Sequence, residues 1–499
     1  MAQRTVRTSI QACGQLAAVV GLAGFITLAP HRLSAAEPVV PAAAPTPKAA
    51  PANSPEANYN QALAFELGKG VERNPAKAEE LYLKAANAGN VSAAYNLGLM
   101  YKTGAGITLD YIQALKYLKM AASKNHVAAI YNVAMAYDNG QGVEVDPAAA
   151  LQWYSRAANL GHAISQYTLG LRYSSGIGVA VNEATSYKWL NKAADQGHAH
   201  AAYLAGLALH NGRGVAADQA MALDYWVKAA EKKDPDAIAS LGWAYQTGIG
   251  SAPNIDKAEY WYRKSAELGN GAAYYNLALL YQAGQIGAVA GKPNNAEMVK
   301  NFQRAAELGN PLAQNALGVL YSTDRSGVVM DYKLAAEWLN KAADQGLAQA
   351  QYNLGTLYRF GNGVEFDKLK AITLYRAAAE QNEINAEIAL GWMYASGQFT
   401  EKNPQQAVLW LRRAASRGND IALYNLGILF GSGDVIPRNT SFSIAYLALA
   451  DRAGNKKAQL AKEVIASFAT EEEKKQADEI VNSWKLGKQL PGANLLDRP

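Results

Sequence analysis

Apolar positions in this chain recur with helical spacing, and the same spacing returns about every 36 residues. Residues 91–126, VSAAYNLGLMYKTGAGITLDYIQALKYLKMAASKNH, show the pattern. Ala94, Leu97 and Tyr101 fall on one side of a first helix, because positions three and four apart lie one above the other. Gly104 ends that helix, Gly106 turns the chain, and Asp110 stands where an N-cap belongs. Ala114, Leu118, Ala121 and Ala122 give a second helix its packing side. No run alternates apolar and polar residues for long enough to argue a strand.

The alanine pair that closes each unit recurs at Ala85, Ala121, Ala157, Ala193, Ala229, Ala305, Ala342, Ala378 and Ala414, with Ser265 in the same place and Ala450 as a weaker match. The steps are 36 residues throughout, except for one of 40 and one of 37 in the middle. About eleven such units predict an all-α, right-handed α/α solenoid, a superhelix of helix-turn-helix repeats. The string WLNKAADQG occurs at 189–197 and again at 338–346, four repeats apart. Other traits return at that interval. Repeats three and seven carry Ala134 and Ala278 where most have a glycine, repeats five and nine end AAEKKD and AAEQNE, and repeats six and ten share a tryptophan. A tandem duplication of a four-repeat block accounts for all of these.

Two features inside the repeat need a physical reason. Glycine sits within the first helix at Gly98, Gly170, Gly206, Gly242, Gly318, Gly355, Gly391 and Gly427. A helix-interior glycine costs ~1 kcal/mol against alanine, so close approach of the partner helix is expected there. Trp153, Trp189, Trp261, Trp338 and Trp410 share one position of the second helix, which predicts a stacked aromatic row in the core between neighbouring repeats.

The repeat pattern, clearest in GLAQAQYNLGTLYRFGNG at 346–363, resembles the Sel-one-like repeat, a relative of the tetratricopeptide repeat. The resemblance spans about 56–455. It implies a helical solenoid acting as an adaptor, scaffold or regulator in macromolecular complexes. It also implies an exported location, since several bacterial relatives are secreted or periplasmic, among them regulators of envelope signalling and parts of exopolysaccharide systems. The disulfide-stapled branch of the family is excluded, because the only cysteine is Cys13.

The ends read differently. Arg4 and Arg7 precede an apolar run from Gln15 to Ala29, and Ser34-Ala35-Ala36 follows, so 1–36 reads as a cleavable signal peptide. The run is shorter than the ~20 residues of a spanning helix. Cleavage would remove three arginines and no acid, lowering the formal charge from +5 to +2, and would leave no thiol. Residues 37–55, with six prolines, read as a spacer. Residues 456–499 read as C-terminal capping helices and a tail. Thr470 and Glu473 predict a capping box, followed by an apolar stripe of Ala477, Ile480, Val481 and Trp484. Longer or altered turns at 283–295, 323–327 and 397–403 read as tolerated loop changes or, alternatively, as parts of a binding face.

Little catalytic chemistry is visible. The Gly-x-Gly pairs follow helices and lack a following Lys-Ser/Thr, so they are turns, not phosphate loops. His126, His162 and His198 share a repeat position and read as a surface row. His198, His200 and His210 show no acidic or thiol partner in the pattern, so no metal site is expected. No cofactor is expected, and enzyme is not the expected class. The balanced charge gives no case for nucleic acid.

Binding is the expected class. Across the first helix from the packing side lies a position often held by asparagine: Asn60, Asn96, Asn132, Asn276, Asn353 and Asn425. Such a ladder on a concave wall can grip a peptide backbone with donor and acceptor together, or bond to neighbouring repeats. The next position on that face is mostly aliphatic but carries Trp243 and Trp392, which read as partner anchors. The expected partner is a protein or peptide of the cell envelope, with no membrane span left after signal cleavage. A polysaccharide is the second class, since the 28 tyrosines offer faces for sugars.

Overall fold

The computed structural model describes residues 54–324 and 327–485. The expected signal peptide, nearly all of the spacer and the end of the tail lie outside the described residues. Within them are 24 helices and no strand. Eleven pairs of helices run from Pro55 to Arg452, and two further helices, Ala458–Ala466 and Glu471–Ser483, follow. Helical structure begins one residue earlier than the pattern implied, because Ser54 caps the first helix through its hydroxyl. The repeats group into two compact units, one ending at Leu268 and the other starting at Gly269.

Local chemistry sets the helix ends. In repeat two the first helix is Val91–Thr103 and the second Tyr111–Ser123. The Asp110 carboxylate accepts the amide protons of Ile112 and Gln113 at 2.9 and 3.0 Å. Gly104 is left-handed, with φ +66°. Gly106 lies so close to the preceding repeat that an added Cβ would stand 2.6 Å from Pro75 Cβ. Of each glycine pair, the first therefore stops a helix and the second lets two repeats touch.

The helix glycines receive a side chain from their own repeat. A Cβ on Gly98 would lie 2.8 Å from Leu118 Cγ, and one on Gly355 would lie 3.1 Å from the Tyr375 ring. The incoming residue is always the eighth of the second helix. At that position Tyr82, Tyr154, Trp226, Tyr262 and Tyr375 are fully buried. This corrects the expectation for the tryptophan row one residue earlier. Trp153, Trp189, Trp261 and Trp338 are only half-buried, and Trp410 alone is buried. They line the edge of the core, and in most a cation one turn on covers the outer face. Lys192 stands 4.4 Å from the Trp189 ring centroid and Lys341 stands 4.1 Å from that of Trp338.

Neighbouring repeats are also joined by a buried amide clasp that the pattern did not reveal. Gln166 donates to the Ala158 carbonyl at 3.0 Å and accepts from Gln196 at 2.7 Å. Gln314 repeats this with Ala306 and Gln345, and Gln351 with Ala343 and Gln381. In repeat ten the residue is Glu387, fully buried, which cannot donate. Arg413 instead donates to the Ala379 carbonyl at 3.2 Å, and both Arg413 and Arg417 pair with the Glu387 carboxylate. A buried carboxylate without such partners would be strongly destabilising.

The two C-terminal helices pack against the last repeats. Thr470 and Glu473 form a reciprocal capping box, and Ala477 and Val481 are buried in the core of the last repeats, with Ile480 and Trp484 partly buried beside them.

Candidate protein-binding surface

Three of the six asparagines of the ladder bond to the protein itself. Asn96 donates to the Tyr82 hydroxyl of the preceding repeat at 3.2 Å. Asn132 donates to the Ala128 carbonyl of its own helix at 2.8 Å and accepts from Lys102 of the preceding repeat at 2.7 Å. Asn353 donates to Asn315 at 2.9 Å. Asn276 and Asn425 are half-buried, and Asn60 is exposed. The amides that bond between repeats have less capacity left for a peptide backbone.

The histidine row has a definite job, which corrects its reading as a surface row. His126, His162 and His198 are half-buried N-caps. Each Nδ1 accepts a backbone amide, from Ala129, Ser165 and Ala201 at 3.2 to 3.3 Å. Each ring also lies on a tyrosine of the helix pair before the one it caps, with centroids 4.4, 4.9 and 4.3 Å from those of Tyr95, Tyr131 and Tyr167. Burial lowers the pKa of all three. Histidine is outside the usual N-cap set, and the tyrosine stack makes it effective here.

His200 does meet acids. Its Nδ1 is 3.0 Å from Asp234 and 3.8 Å from Asp236, and the three ligand atoms lie within 4.8 Å of one another. Asp234 is itself the N-cap of the helix Pro235–Thr247, accepting from Ala237 at 2.9 Å. Burial disfavours the imidazolium, but the Asp234 hydrogen bond and the charges of Asp234 and Asp236 outweigh it, so the His200 pKa is raised. The group is an ion pair at a helix start. His210 lies elsewhere, against Trp226 and Trp243.

The two tryptophan positions have equivalent surroundings in the two units. Trp243, half-buried, meets the His210 ring edge-on at 5.5 Å between centroids. Trp392, 37% exposed, carries the Arg359 guanidinium 4.7 Å from its centroid. His210 and Arg359 are both the twelfth residue of the first helix of the preceding repeat. Around Arg359 are also Phe360 at 5.0 Å and Phe399 at 5.7 Å, and Phe366 lies 5.9 Å from Phe399. Phe360 is 41% and Phe366 56% exposed, so these rings form an open aromatic patch. Sequence reasoning found Trp392 but missed its companions, because Phe366 stands in a regular turn where other repeats carry Leu109, Val145 or Val181, and Phe399 sits in a turn that departs from the pattern. The tyrosines, by contrast, mostly serve the interior: five of them are among the largest fully buried side chains.

Among the described residues, no helix is long and apolar enough to cross a membrane. The family model of the Sel1 repeat matches eleven successive stretches from residue 55 to residue 455. None of the curated proteins matches the chain. Among solved structures, the chain is similar to c5321, a protective antigen present in uropathogenic Escherichia coli strains that displays an SLR fold. Identity is 29%, coverage is 90% of this chain and 95% of that one, and the TM-score is 0.71. It is also similar to a Sel1 repeat protein from Oxalobacter formigenes, at 30% identity, with 70% of this chain and 98% of that one covered and a TM-score of 0.55.

Proposed function

The chain belongs to the Sel1 repeat family, whose members generally mediate protein–protein interaction, and we propose that it is an exported scaffold that binds protein partners in the cell envelope. The observation that carries the binding surface is the exposed Trp392 beside a cation and three further rings. Exposed aromatics next to arginine are the side chains that most often dominate a protein interface. The basic start and short apolar run of 1–36 support export, and the description of the similar E. coli protein as a protective antigen favours an exposed location.

Trp243 supplies a second, less exposed anchor four repeats away. The test is co-purification from the envelope fraction with the parent chain, Trp392→Ala, Trp243→Ala and the double variant. Each single variant should capture less of a protein partner, and the double variant least. Capture unchanged in the double variant would remove both tryptophans from the interface. Capture that survives protease treatment of the envelope fraction would point to a glycan instead. A reporter fused after residue 60 should be exported, and its retention in the cytoplasm would end the export reading.

A further inference from the structure

Within the aromatic patch, Arg359 has a buried hydrogen-bond donor left unpaired. Its guanidinium faces Trp392, Phe360 and Phe399, and it reaches the Tyr375 hydroxyl, which Thr356 also contacts at 3.0 Å. Its Nε is buried and has no hydrogen-bond partner, and no carboxylate among the described residues pairs with it. Elsewhere in the same unit other arginines have polar partners: Arg413, half-buried, and Arg417 both pair with Glu387, and Arg376, exposed, donates to the Tyr394 hydroxyl. A guanidinium held between rings, with its Nε–H unpaired, is preorganised for an anion of carboxylate shape. Glu365 and Asp367 flank Phe366, which disfavours a polyanion.

We propose that this patch, resting on the scaffold reading above, is a docking site for an acidic side chain of a partner protein, with aliphatic or aromatic neighbours of that side chain seated on Phe366 and Trp392. The carboxylate accepts hydrogen bonds from the guanidinium N–H groups, and the rings around Arg359 shield the pair from water.

The experiment pans the full-length protein against a random dodecapeptide library displayed on phage. An enriched sequence is then made as a capped peptide, and its binding is followed by fluorescence anisotropy. The expected consensus is a glutamate or aspartate beside phenylalanine, tryptophan or leucine. Arg359→Gln should weaken the peptide by about tenfold to a hundredfold, the loss typical of a hydrogen bond to a charged group. Changing the peptide's acid to its amide should cost as much, and the two changes together should cost little more than either. Arg359→Lys should rescue only in part, because it keeps the charge but loses the planar fork. Phe366→Ser, at an exposed position, should weaken binding without affecting the fold, and the peptide-side change leaves the protein untouched. Failure to enrich acidic peptides, or wild-type affinity in both Arg359→Gln and Phe366→Ser, would overturn the proposal. Peptides that bind independently of this patch would do so while leaving the scaffold reading intact; that reading fails separately, if no protein co-purifies from the envelope.

Discussion

Replacing a helix glycine with alanine should have opposite outcomes in two repeats of the same unit. At Gly427 the new Cβ would stand 2.6 Å from Leu447 Cγ and 2.9 Å from its Cδ2, and Cγ is the branch carbon, which cannot swing aside alone. At Gly355 it would stand 3.1 Å from the edge of the Tyr375 ring. A ring can slide by a few tenths of an ångström, and repeat three already combines buried Ala134 with buried Tyr154, as repeat seven combines Ala278 with Phe302. Alanine gains ~1 kcal/mol of helix propensity over glycine at both sites. Overpacking costs ~1–3 kcal/mol where the neighbour cannot yield. Gly355→Ala is therefore expected to be neutral or to stabilise by up to ~1 kcal/mol, and Gly427→Ala to destabilise by up to ~2 kcal/mol. Gly355→Leu should destabilise, because its larger side chain has only the space taken by Tyr375. A chain of this many repeats does not unfold in one step, so global denaturation in urea should be paired with hydrogen exchange on peptides from 348–380 and 420–452. Equal effects at the two alanine sites, or a stabilising Gly427→Ala, would show that the fit of the eighth residue does not set the helix spacing.

Further predictions concern ends and charges. The cap histidines must be neutral to accept an amide proton, and their pKa values are lowered in the fold, so their contribution is present above the unfolded histidine pKa and lost as pH falls through the folded value. Changing His126, His162 and His198 to asparagine, the cap used at Asn90, should flatten the acid limb of a melting-temperature profile below about pH 6.5; an unchanged limb refutes the cap role. His200 has the opposite sign. Its raised pKa stabilises at low pH and is lost as pH rises through the folded value, so His200→Ala should destabilise more at pH 5.5 than at pH 9, measured by the same melts. Lys233 has φ +63° where most repeats end in glycine. Lys233→Gly should stabilise by about 1 kcal/mol, the cost of holding a side chain in left-handed backbone, and a loss in urea unfolding would contradict this.

The architecture was legible because each repeat states the same local rules eleven times. The Asp110 cap, the Gly104 stop and the spacing of Ala94, Leu97 and Tyr101 are read within one turn or two of the chain. The helix glycines even announced a close partner, although not that it would be the residue after the tryptophans. What escaped were contacts made across repeats. His126 looks like a stray histidine until Tyr95, 31 positions earlier, is laid beneath it. Gln166 looks like a surface amide until Ala158 and Gln196 come to either side of it. At the candidate site Trp392 stood out by identity alone, whereas Arg359 acquires meaning only when Phe399, forty positions on, reaches the same spot.

The pairing of glycine with the eighth residue of the following helix has a consequence for how such a chain changes over generations. Both halves of that lock, such as Gly355 and Tyr375, lie between one inter-repeat turn and the next. A genetic exchange that breaks the chain at those turns carries every lock away whole, so units can be copied or lost without a compensating substitution inside them. The contacts that cross the break, the glutamine clasps and the histidine stacks, vary from unit to unit and exist in several interchangeable versions. An array put together this way lengthens by recombination more easily than it diverges by point substitution, and two copies of WLNKAADQG four units apart are the kind of trace that such lengthening leaves.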